Sequence, residues 1–510
     1  MSSRRVRPAR YQGFRTGRVA RGSLSLAVLT AAALVPVVTG TASAAIGGHA
    51  AVSGLTGDFN GDGHVDLVAS APDATVDGAE GAGVVTIAYG SAAGAGVEQG
   101  DRATVSQNTD GVGGEADAGD HFGFSVAVAD FDEDGYDDLA AGVPGEDVEG
   151  EAEAGTVQIL WGSAAGVSGS ATLTDPATEN HQAHGRTLAA GDFNGDGRAD
   201  LATGNTSPEM WLYSGGFTRE GGHGGTYPLG YLYTWNGEVT ALTAGDVTGD
   251  GADDLLVNHR SLYRSGAGES GVLGLDRASY DMAARGYAST FGDFDGDGYT
   301  DVVTARANKG GEITYIPGGP TSATDPTWTG NYDRSYTMNQ AQFDTPGEDR
   351  IYDRYGAGLA AGDINGDGYD DLIAGDPNED ADGGAVADAG HVVVLYGARN
   401  GLVTTGRQVF DQGFEGIPGD NETGDEFGAQ LLLEDLNGDG RKDLTIAAPG
   451  EDGGSGALTT LLGTGTGLTT AGVRTLDTAS YGLSAAGQPR LGSGLQGHPP
   501  ITPQPAPPAG

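Results

Sequence analysis

The chain has no cysteine among its 510 residues, which excludes disulfides, a thiol nucleophile and zinc held by cysteine. It is also poor in positive charge, with 26 basic against 71 acidic side chains and a formal net charge of −45. A negative field of this strength repels nucleic acid and anionic lipid, and it attracts cations or a basic partner. We therefore expect no nucleic-acid partner.

Aromatic residues make up only 7% of the chain and hydrophobic residues 37%, whereas glycine occurs 93 times. This composition favours many small β-rich units over one helical domain. The longest apolar run, Leu24 to Val38, has 15 residues, whereas a spanning helix needs roughly 20. We therefore expect no membrane span.

The two ends of the chain differ from the rest. In residues 1–45, seven arginines and no acid precede the apolar run, and the small triplet Ala42-Ser43-Ala44 follows it. This pattern is typical of a secretory signal peptide and predicts a secreted, extracellular protein; the Arg4-Arg5 pair leaves the twin-arginine route open as an alternative. Residues 487–510 are rich in glycine and proline and are predicted to form a disordered tail.

A nine-residue acidic loop occurs seven times between these ends, as Asp-x-(Asn/Asp/Thr)-x-Asp-Gly-x-x-Asp before an apolar residue. Successive copies begin 47 to 72 residues apart, a period typical of a propeller or an array. Loops 1 to 7 begin at Asp58, Asp130, Asp192, Asp246, Asp293, Asp363 and Asp435.

The pattern predicts calcium binding, because Ca²⁺ takes roughly six to eight oxygen ligands. Side chains at positions 1, 3, 5 and 9 and the backbone carbonyl of position 7 would supply them, while glycine at position 6 allows a sharp turn. We expect up to seven structural ions. The predicted ligands are Asp58, Asn60, Asp62, His64, Asp66, Asp130, Asp132, Asp134, Tyr136, Asp138, Asp192, Asn194, Asp196, Arg198, Asp200, Asp246, Thr248, Asp250, Ala252, Asp254, Asp293, Asp295, Asp297, Tyr299, Asp301, Asp363, Asn365, Asp367, Tyr369, Asp371, Asp435, Asn437, Asp439, Arg441 and Asp443.

Two other structures share part of this loop pattern. An EF-hand needs glutamate at position 12. A metal-free hairpin turn also uses Asp-Gly and Asn-Gly, but seven copies with aspartate at positions 1, 5 and 9 argue against it, because unneutralised carboxylates repel each other. The residues at position 12 are Ala69, Ala141, Thr203, Val257, Thr304, Ala374 and Ile446.

Position 3 predicts that the sites differ in affinity. It is aspartate in loops 2 and 5, threonine in loop 4 and asparagine in the other four. Because the charge of the ligands tunes calcium affinity, loops 2 and 5 are predicted to bind most tightly and loop 4 most weakly.

The segments around each loop predict four short strands. An aromatic-Gly pair and a strand precede the loop, a strand ending in (Gly/Ala)-x-Pro follows it, and a Gly-x-Val strand and a weaker fourth strand complete the unit, clearest in residues 122–174. This order resembles the FG-GAP repeat of the seven-bladed propeller in integrin alpha subunits and their bacterial secreted relatives. The resemblance covers about residues 46–480 and is weaker from 175 to 340, where the pair survives as His184-Gly185 or a reversed Gly286-Tyr287.

The predicted fold class is therefore all-β, a seven-bladed β-propeller of four-stranded antiparallel blades with calcium-binding loops, spanning residues 46–486. Within it, Tyr481 to Gly487 resembles an eighth inner strand without a calcium loop. We expect this segment either to pair with the first blade and close the ring or to be a relic of duplication.

The resemblance implies a secreted, calcium-stabilised binding or cell-adhesion module for a protein or glycan ligand, and we expect a monomer. In a blade, the calcium loop lies on one face of the disc and the loop between strands two and three on the other. We expect the partner on that other face, where loops scaffolded by strands commonly carry function. The variable acidic segments there are residues 73–81, 107–121, 145–154, 378–389 and 411–426.

An enzyme remains the alternative, either a secreted hydrolase or lyase with acidic residues on the loop face, with a lectin as an intermediate case. We identify no catalytic residue, since a Gly-x-Ser-x-Gly elbow is absent. His181 and His184 are interpreted as surface residues rather than metal ligands. Seven aromatic residues are expected to fill the core rather than stack on sugars, namely Trp211, Tyr213, Tyr227, Tyr231, Tyr233, Trp235 and Trp328.

Overall fold

In a computed structural model of the chain, the described residues all belong to the unit His49–Gly510. They are residues 57–94, 101–176, 182–207, 209–229, 239–249, 251–260, 268–274, 279–281, 288–306, 311–319, 333–340 and 354–495.

This part of the chain forms 28 β-strands, one short helical turn, α1 (Glu451–Gly454), and one 3₁₀ turn, Thr478–Tyr481. The strands are β1 (Leu67–Ala71), β2 (Val84–Ala88), β3 (Arg102–Val105), β4 (Val126–Ala129), β5 (Asp138–Val143), β6 (Thr156–Leu160), β7 (Ser170–Thr174), β8 (Thr187–Gly191), β9 (Asp200–Gly204), β10 (Met210–Ser214), β11 (Gly225–Pro228), β12 (Val239–Gly245), β13 (Asp254–Arg260), β14 (Gly268–Gly274), β15 (Ser279–Asp281), β16 (Ala288–Gly292), β17 (Asp301–Arg306), β18 (Glu312–Ile316), β19 (Tyr336–Asn339), β20 (Gly358–Gly362), β21 (Asp371–Asp376), β22 (His391–Tyr396), β23 (Val403–Phe410), β24 (Gln430–Glu434), β25 (Asp443–Ala448), β26 (Ala457–Thr464), β27 (Gly467–Asp477) and β28 (Gly494–Leu495).

The strands form seven antiparallel sheets of four strands each. Sheet 1 has the order β28-β1-β2-β3, and sheets 2 to 7 each use four strands consecutive in sequence, from β4-β5-β6-β7 to β24-β25-β26-β27. From β4 to β28, the first strand of each sheet contacts the first strand of the next sheet along the ring. The predicted seven-bladed propeller of four-stranded antiparallel blades is therefore confirmed.

Buried side chains hold neighbouring sheets together. The described residues contain seven hydrophobic clusters, and each one joins two adjacent sheets, including sheets 7 and 1. The middle strands are therefore covered on both faces, and every residue of β1 and β2 is buried. The outer strand β7 instead alternates in exposure, as expected for a strand with one face in solvent.

A close contact at glycine joins neighbouring sheets. A Cβ atom on Gly83, just before β2, would lie 2.3 Å from the backbone nitrogen of Phe122 in sheet 2. Gly155 makes the same approach to His184. Only glycine allows this contact, so the aromatic-Gly pair of one sheet is held against the third strand of the previous one.

The ring closes through a different segment from the predicted one. Leu495 and Gly494 pair with Ala69 and Ser70 of β1, and Leu491-Gly492 takes the place of the aromatic-Gly pair. A Cβ on Gly456 would lie 2.4 Å from the Leu491 nitrogen.

The end of the chain decides between the expectations in two ways. Of the two alternatives for Tyr481 to Gly487, the closing strand is excluded, because Tyr481 ends a 3₁₀ turn and β1 pairs with β28. The predicted tail also begins too early, because Leu491 and Leu495 are fully buried. The place of the aromatic-Gly pair therefore requires a large apolar side chain, which need not be aromatic, followed by a glycine with a left-handed backbone. Gly492 has φ 91°.

Candidate metal centre

All seven acidic loops lie at the same end of their sheets. Loops 2 to 7 join the first and second strands of a sheet, whereas loop 1 precedes β1, whose inner neighbour is β28. Position 12 of each loop lies within a strand. The loops are therefore not EF-hands, in which a helix follows.

Backbone N–H groups fix the carboxylates at positions 1 and 5. In loop 2, the two oxygens of Asp130 accept hydrogen bonds from the N–H groups of Asp134 and Gly135, both at 3.0 Å. Asp134 Oδ1 accepts the Tyr136 N–H at 3.1 Å. The position-1 arrangement recurs in loops 1, 3, 5, 6 and 7, and in loop 4 Gly249 and Gly251 donate to Asp246. Gly135 at position 6 has φ 91°, as a left-handed turn requires.

The carboxylate at position 9 is buried and anchors the loop to its sheet. Asp138 accepts N–H groups from Phe131 at 2.9 Å and from Gly162, at the end of the third strand, at 2.8 Å. Burial raises its pKa to about 7. Burial likewise raises the pKa of the position-9 carboxyls of loops 1, 3, 5 and 6 to about 7 and that of loop 7 to about 6. A charged carboxylate at such a position is costly unless a cation neutralises it.

In loops 2, 5 and 6, position 3 supplies an oxygen that the protein leaves unpaired. Asp132 Oδ1, Asp295 Oδ1 and Asn365 Oδ1 are buried and have no hydrogen-bond partner. In loop 2, one oxygen each of Asp130, Asp132 and Asp138 lie within 4.8 Å of one another. In loop 5 the same holds for the carboxylates of positions 1, 3 and 5. A cluster of carboxylate oxygens in which one buried oxygen lacks a hydrogen-bond donor fits a hard cation such as Ca²⁺.

Loop 4 differs from the other loops at position 3, where it has threonine. Thr248 donates its hydroxyl hydrogen to Asp246 Oδ1 at 3.5 Å, and Asp250, its predicted ligand at position 5, lies outside the described residues. Asp254 Oδ2 accepts the Thr248 N–H at 3.1 Å, so the position-9 anchor is retained.

Neighbouring loops are tied together by position 8, which the sequence reasoning missed. Asp137 Oδ2 accepts the N–H of Asp58, the first residue of loop 1, at 2.9 Å. Asp253 and Asp370 make the same contact, at 2.8 Å, to the first residues of loops 3 and 5. The signal in the sequence is the Asp-Asp doublet at positions 8 and 9, which occurs in loops 2, 4 and 6.

Position 7 makes a second contact between loops. A Cβ atom on Gly61 in loop 1 would lie 2.6 Å from the Tyr136 ring of loop 2, which explains the glycine at position 4. In loop 2, position 4 is Glu133, which pairs with Arg198 of loop 3 at 3.1 Å. The side chain at position 7 therefore packs on the adjacent loop, and only its backbone carbonyl remains a predicted ligand.

Two arginines reach the loops that have aspartate at position 3. Arg219 donates from Nε to Asp132 Oδ2 at 2.7 Å and from Nη2 to Asp134 Oδ2 at 2.6 Å. Arg334 Nη2 donates to Asp295 Oδ2 at 2.6 Å. Neither arginine was identified from the sequence, because both are far from their loops along the chain.

The structure describes four of the other side chains singled out in the sequence. His184 is fully buried, which corrects its assignment to the surface, and its Nε2 lies 2.9 Å from the Tyr213 hydroxyl. Tyr213 is buried and Trp211 packs against the same cluster, as expected. Tyr227 is 54% exposed, which corrects its assignment to the core. His181, Tyr231, Tyr233, Trp235 and Trp328 lie outside the described residues.

A cavity of about 440 Å³ opens at the other end of the sheets, between sheets 2 and 3. Its lining includes His121, Phe124, Glu153, Gln182 and Arg186. The Arg186 guanidinium lies 4.8 Å from the centre of the Phe124 ring, and His121 Nδ1 lies 3.2 Å from Asp73 Oδ1, a contact that raises the pKa of His121. The cavity thus combines an aromatic ring, cationic groups and a carboxylate, as ligand sites commonly do.

The family model for the FG-GAP repeat matches six spans of the chain. These spans fall on sheets 1, 2, 3, 5, 6 and 7, so that the matched spans leave out sheet 4, which carries loop 4. The spans are residues 50–87, 122–160, 184–208, 285–316, 355–395 and 427–461.

Several curated proteins are similar over part of the chain. Phosphatidylinositol-glycan-specific phospholipase D of Mus musculus is 35% identical over 145 residues, which cover 28% of this chain and 17% of the relative. Integrin alpha-IIb of Mus musculus is 28% identical over 40% of this chain and 18% of the relative. Integrin alpha-V of Gallus gallus is 30% identical over 34% and 15%. The chain thus matches less than a fifth of the length of each relative.

Among solved structures, the exotype rhamnogalacturonan lyase YesX is similar, with a TM-score of 0.41 and 14% identity over 81% of this chain and 72% of that one. Among the described residues, none of the helices has the length and apolar character that a membrane span requires.

Proposed function

Because the chain is an FG-GAP repeat protein that resembles the integrin alpha propeller, we propose that it is a calcium-stabilised propeller that binds a protein or glycan partner as an adhesion module. The observation that carries the calcium part is the buried, unpaired oxygen at position 3 of loops 2, 5 and 6. Bound calcium would supply charge neutralisation and crosslink the loop to its sheet. Positions 1, 3, 5 and 9, with the carbonyl of position 7, would hold it in each of the seven loops.

The chain's own residues prepare these sites before an ion arrives. Backbone N–H groups orient the carboxylates at positions 1 and 5, and each carboxylate oxygen keeps a further lone pair for a cation. Position 9 is held against the third strand, so that an ion bound there would link two parts of the same sheet. Because the aspartate at position 8 of loops 2, 4 and 6 contacts the previous loop, calcium would also stabilise the contact between those pairs of sheets.

Thermal unfolding with excess calcium and with chelator tests this proposal, with bound metal counted in parallel. A ligand held only by the folded state stabilises it by mass action, by about 2.7 kcal/mol for each site at a hundred times its dissociation constant. We expect several ions and a higher melting temperature with calcium. A melting temperature indifferent to calcium, with little retained metal, would show that the loops are only turns.

For the partner, we propose the face opposite the calcium loops, and in particular the cavity between sheets 2 and 3. Its support is the cavity's mixed lining, because such groups fix the orientation of a ligand. The test is binding of the purified protein to arrays of glycans and extracellular proteins. Arg186→Gln should no longer bind the array member that the wild type binds. Arg407→Gln, on the exposed part of β23, should still bind it.

The hydrolase, lyase and lectin alternatives are separated by the same arrays. Saturable binding without product release supports the adhesion module, binding to glycans alone supports a lectin, and turnover of a polysaccharide or ester supports the enzyme. We also propose that residues 1–45 direct export, which sequencing the N-terminus of the protein recovered from culture medium would test.

A further inference from the structure

The two loops with the largest ligand charge are each contacted by an arginine from outside the loop. Arg219 lies in the link between β10 and β11 of sheet 3, yet it binds two carboxylates of loop 2 in sheet 2. Arg334 lies just before β19 and binds position 3 of loop 5 in its own sheet. The two arginines come from different parts of a blade but contact the same loop position.

The arginines equalise the charge of the loops. At the predicted ligand positions, loops 1, 3, 6 and 7 carry three carboxylates, at positions 1, 5 and 9, and a neutral asparagine at position 3. Loops 2 and 5 carry a fourth carboxylate, Asp132 or Asp295. One guanidinium reduces the net charge of these two sites from −4 to −3, the value of the asparagine loops.

Each arginine nevertheless leaves the ligand oxygen free. The guanidinium binds Oδ2 of Asp132 and of Asp295, whereas Oδ1 of both residues is buried and has no partner. The side chain of Asp295 is only 2% exposed and that of Asp132 only 10%. A cation at Oδ1 would therefore bind beside a fixed positive charge rather than displace it.

We propose that Arg219 and Arg334 are built-in counter-charges that lower the calcium affinity of loops 2 and 5 to that of the asparagine loops. This inference rests on the proposed calcium function. It removes the basis for predicting loops 2 and 5 as the tightest sites, because that ranking counted the carboxylates alone. A unit charge about 6 Å from a dication in water changes its affinity by about tenfold, which sets the size of the effect.

Loop 2 offers a local reporter for the test. Trp161 directly precedes Gly162, whose N–H donates to Asp138 at 2.8 Å, and the Arg219 guanidinium lies 5.7 Å from the centre of the Trp161 ring. Terbium bound in loop 2 should therefore luminesce when tryptophan is excited, and calcium should displace it. Trp161→Phe identifies the part of the signal that comes from this loop.

The experiment is a double-mutant cycle in the full chain, measured by calcium displacement of terbium. We expect Arg219→Gln to bind calcium about tenfold more tightly at loop 2, and Asp132→Asn to bind about tenfold more weakly, because it leaves the arginine beside only three carboxylates. The double variant should return to within about threefold of the wild type. Arg334→Gln is the matched control and should leave the Trp161-excited titration unchanged.

If Arg219→Gln leaves calcium binding unchanged or weaker while Asp132→Asn weakens it, the proposed counter-charge role of Arg219 is refuted, but the proposed calcium function is not. A wild-type chain that takes up neither terbium nor calcium would overturn both. Thermal unfolding of each variant with chelator confirms that the fold is retained.

Discussion

The closing segment at the end of the chain gives the sharpest test of the ring. Leu491 is fully buried in the cluster that joins sheets 7 and 1, and its N–H donates to the Ser455 carbonyl at 3.1 Å. We expect Leu491→Ala to lower the free energy of unfolding by about 3 kcal/mol, because a buried leucine leaves a cavity that its surroundings fill only in part. Folded domains are stable by only about 5–15 kcal/mol, so the loss should be readily measured.

Urea unfolding followed by circular dichroism measures this loss. The matched control is Leu483→Ala, because Leu483 lies in the segment for which the sequence leaves open the role of closing strand, but it is only partly buried. Leu483→Ala should lower the free energy of unfolding by less than about half as much as Leu491→Ala. A chain ending at Leu495 keeps every described residue and should unfold like the wild type, whereas one ending at Ala486 loses β28 and both buried leucines. Equal losses from the two leucine variants, or wild-type stability in the shorter chain, would refute the closure assigned to β28.

Three further predictions concern the loops and the contacts between sheets. Gly83→Ala should lower the free energy of unfolding by more than about 2 kcal/mol, because its Cβ would lie 2.3 Å from the Phe122 nitrogen. Gly78 also has a left-handed backbone but has open space around it, so Gly78→Ala should lower the free energy of unfolding by only about 1 kcal/mol. Similar urea midpoints for the two variants would contradict the argument. Asp137→Ala should weaken calcium binding at loop 1 although it lies in loop 2, because it leaves the Asp58 N–H unpaired; calorimetry showing unchanged titrations would exclude this coupling. Chelator should increase the rate of proteolysis at the acidic loops, because a structural ion suppresses local opening, and mass spectrometry of the fragments would locate the cuts.

Much of the fold could be predicted from the sequence because its constraints are local. A strand, a tight turn and another strand are each specified within a few residues, and a pattern repeated seven times leaves few architectures that bury every unit. The glycine at position 6 and the apolar residue after position 9 belong to this local class. The predictions of four strands in each sheet and of all the acidic loops at one end of the sheets therefore agree with the structure.

The rest depends on residues that meet only when sheets pack together. Leu491 could not be recognised as the closing residue, because its position requires size and burial rather than an aromatic ring. Asp137, Arg219 and Arg334 act on loops that only the packed sheets bring to them, and the electrostatics of a site depends on every charge within reach. The sequence by itself determined the repeat, the acidic loops and the number of blades, since each is written in neighbouring residues. Only the tertiary structure decided which segment closes the ring and how much net charge each loop carries, because both depend on contacts between residues distant along the chain.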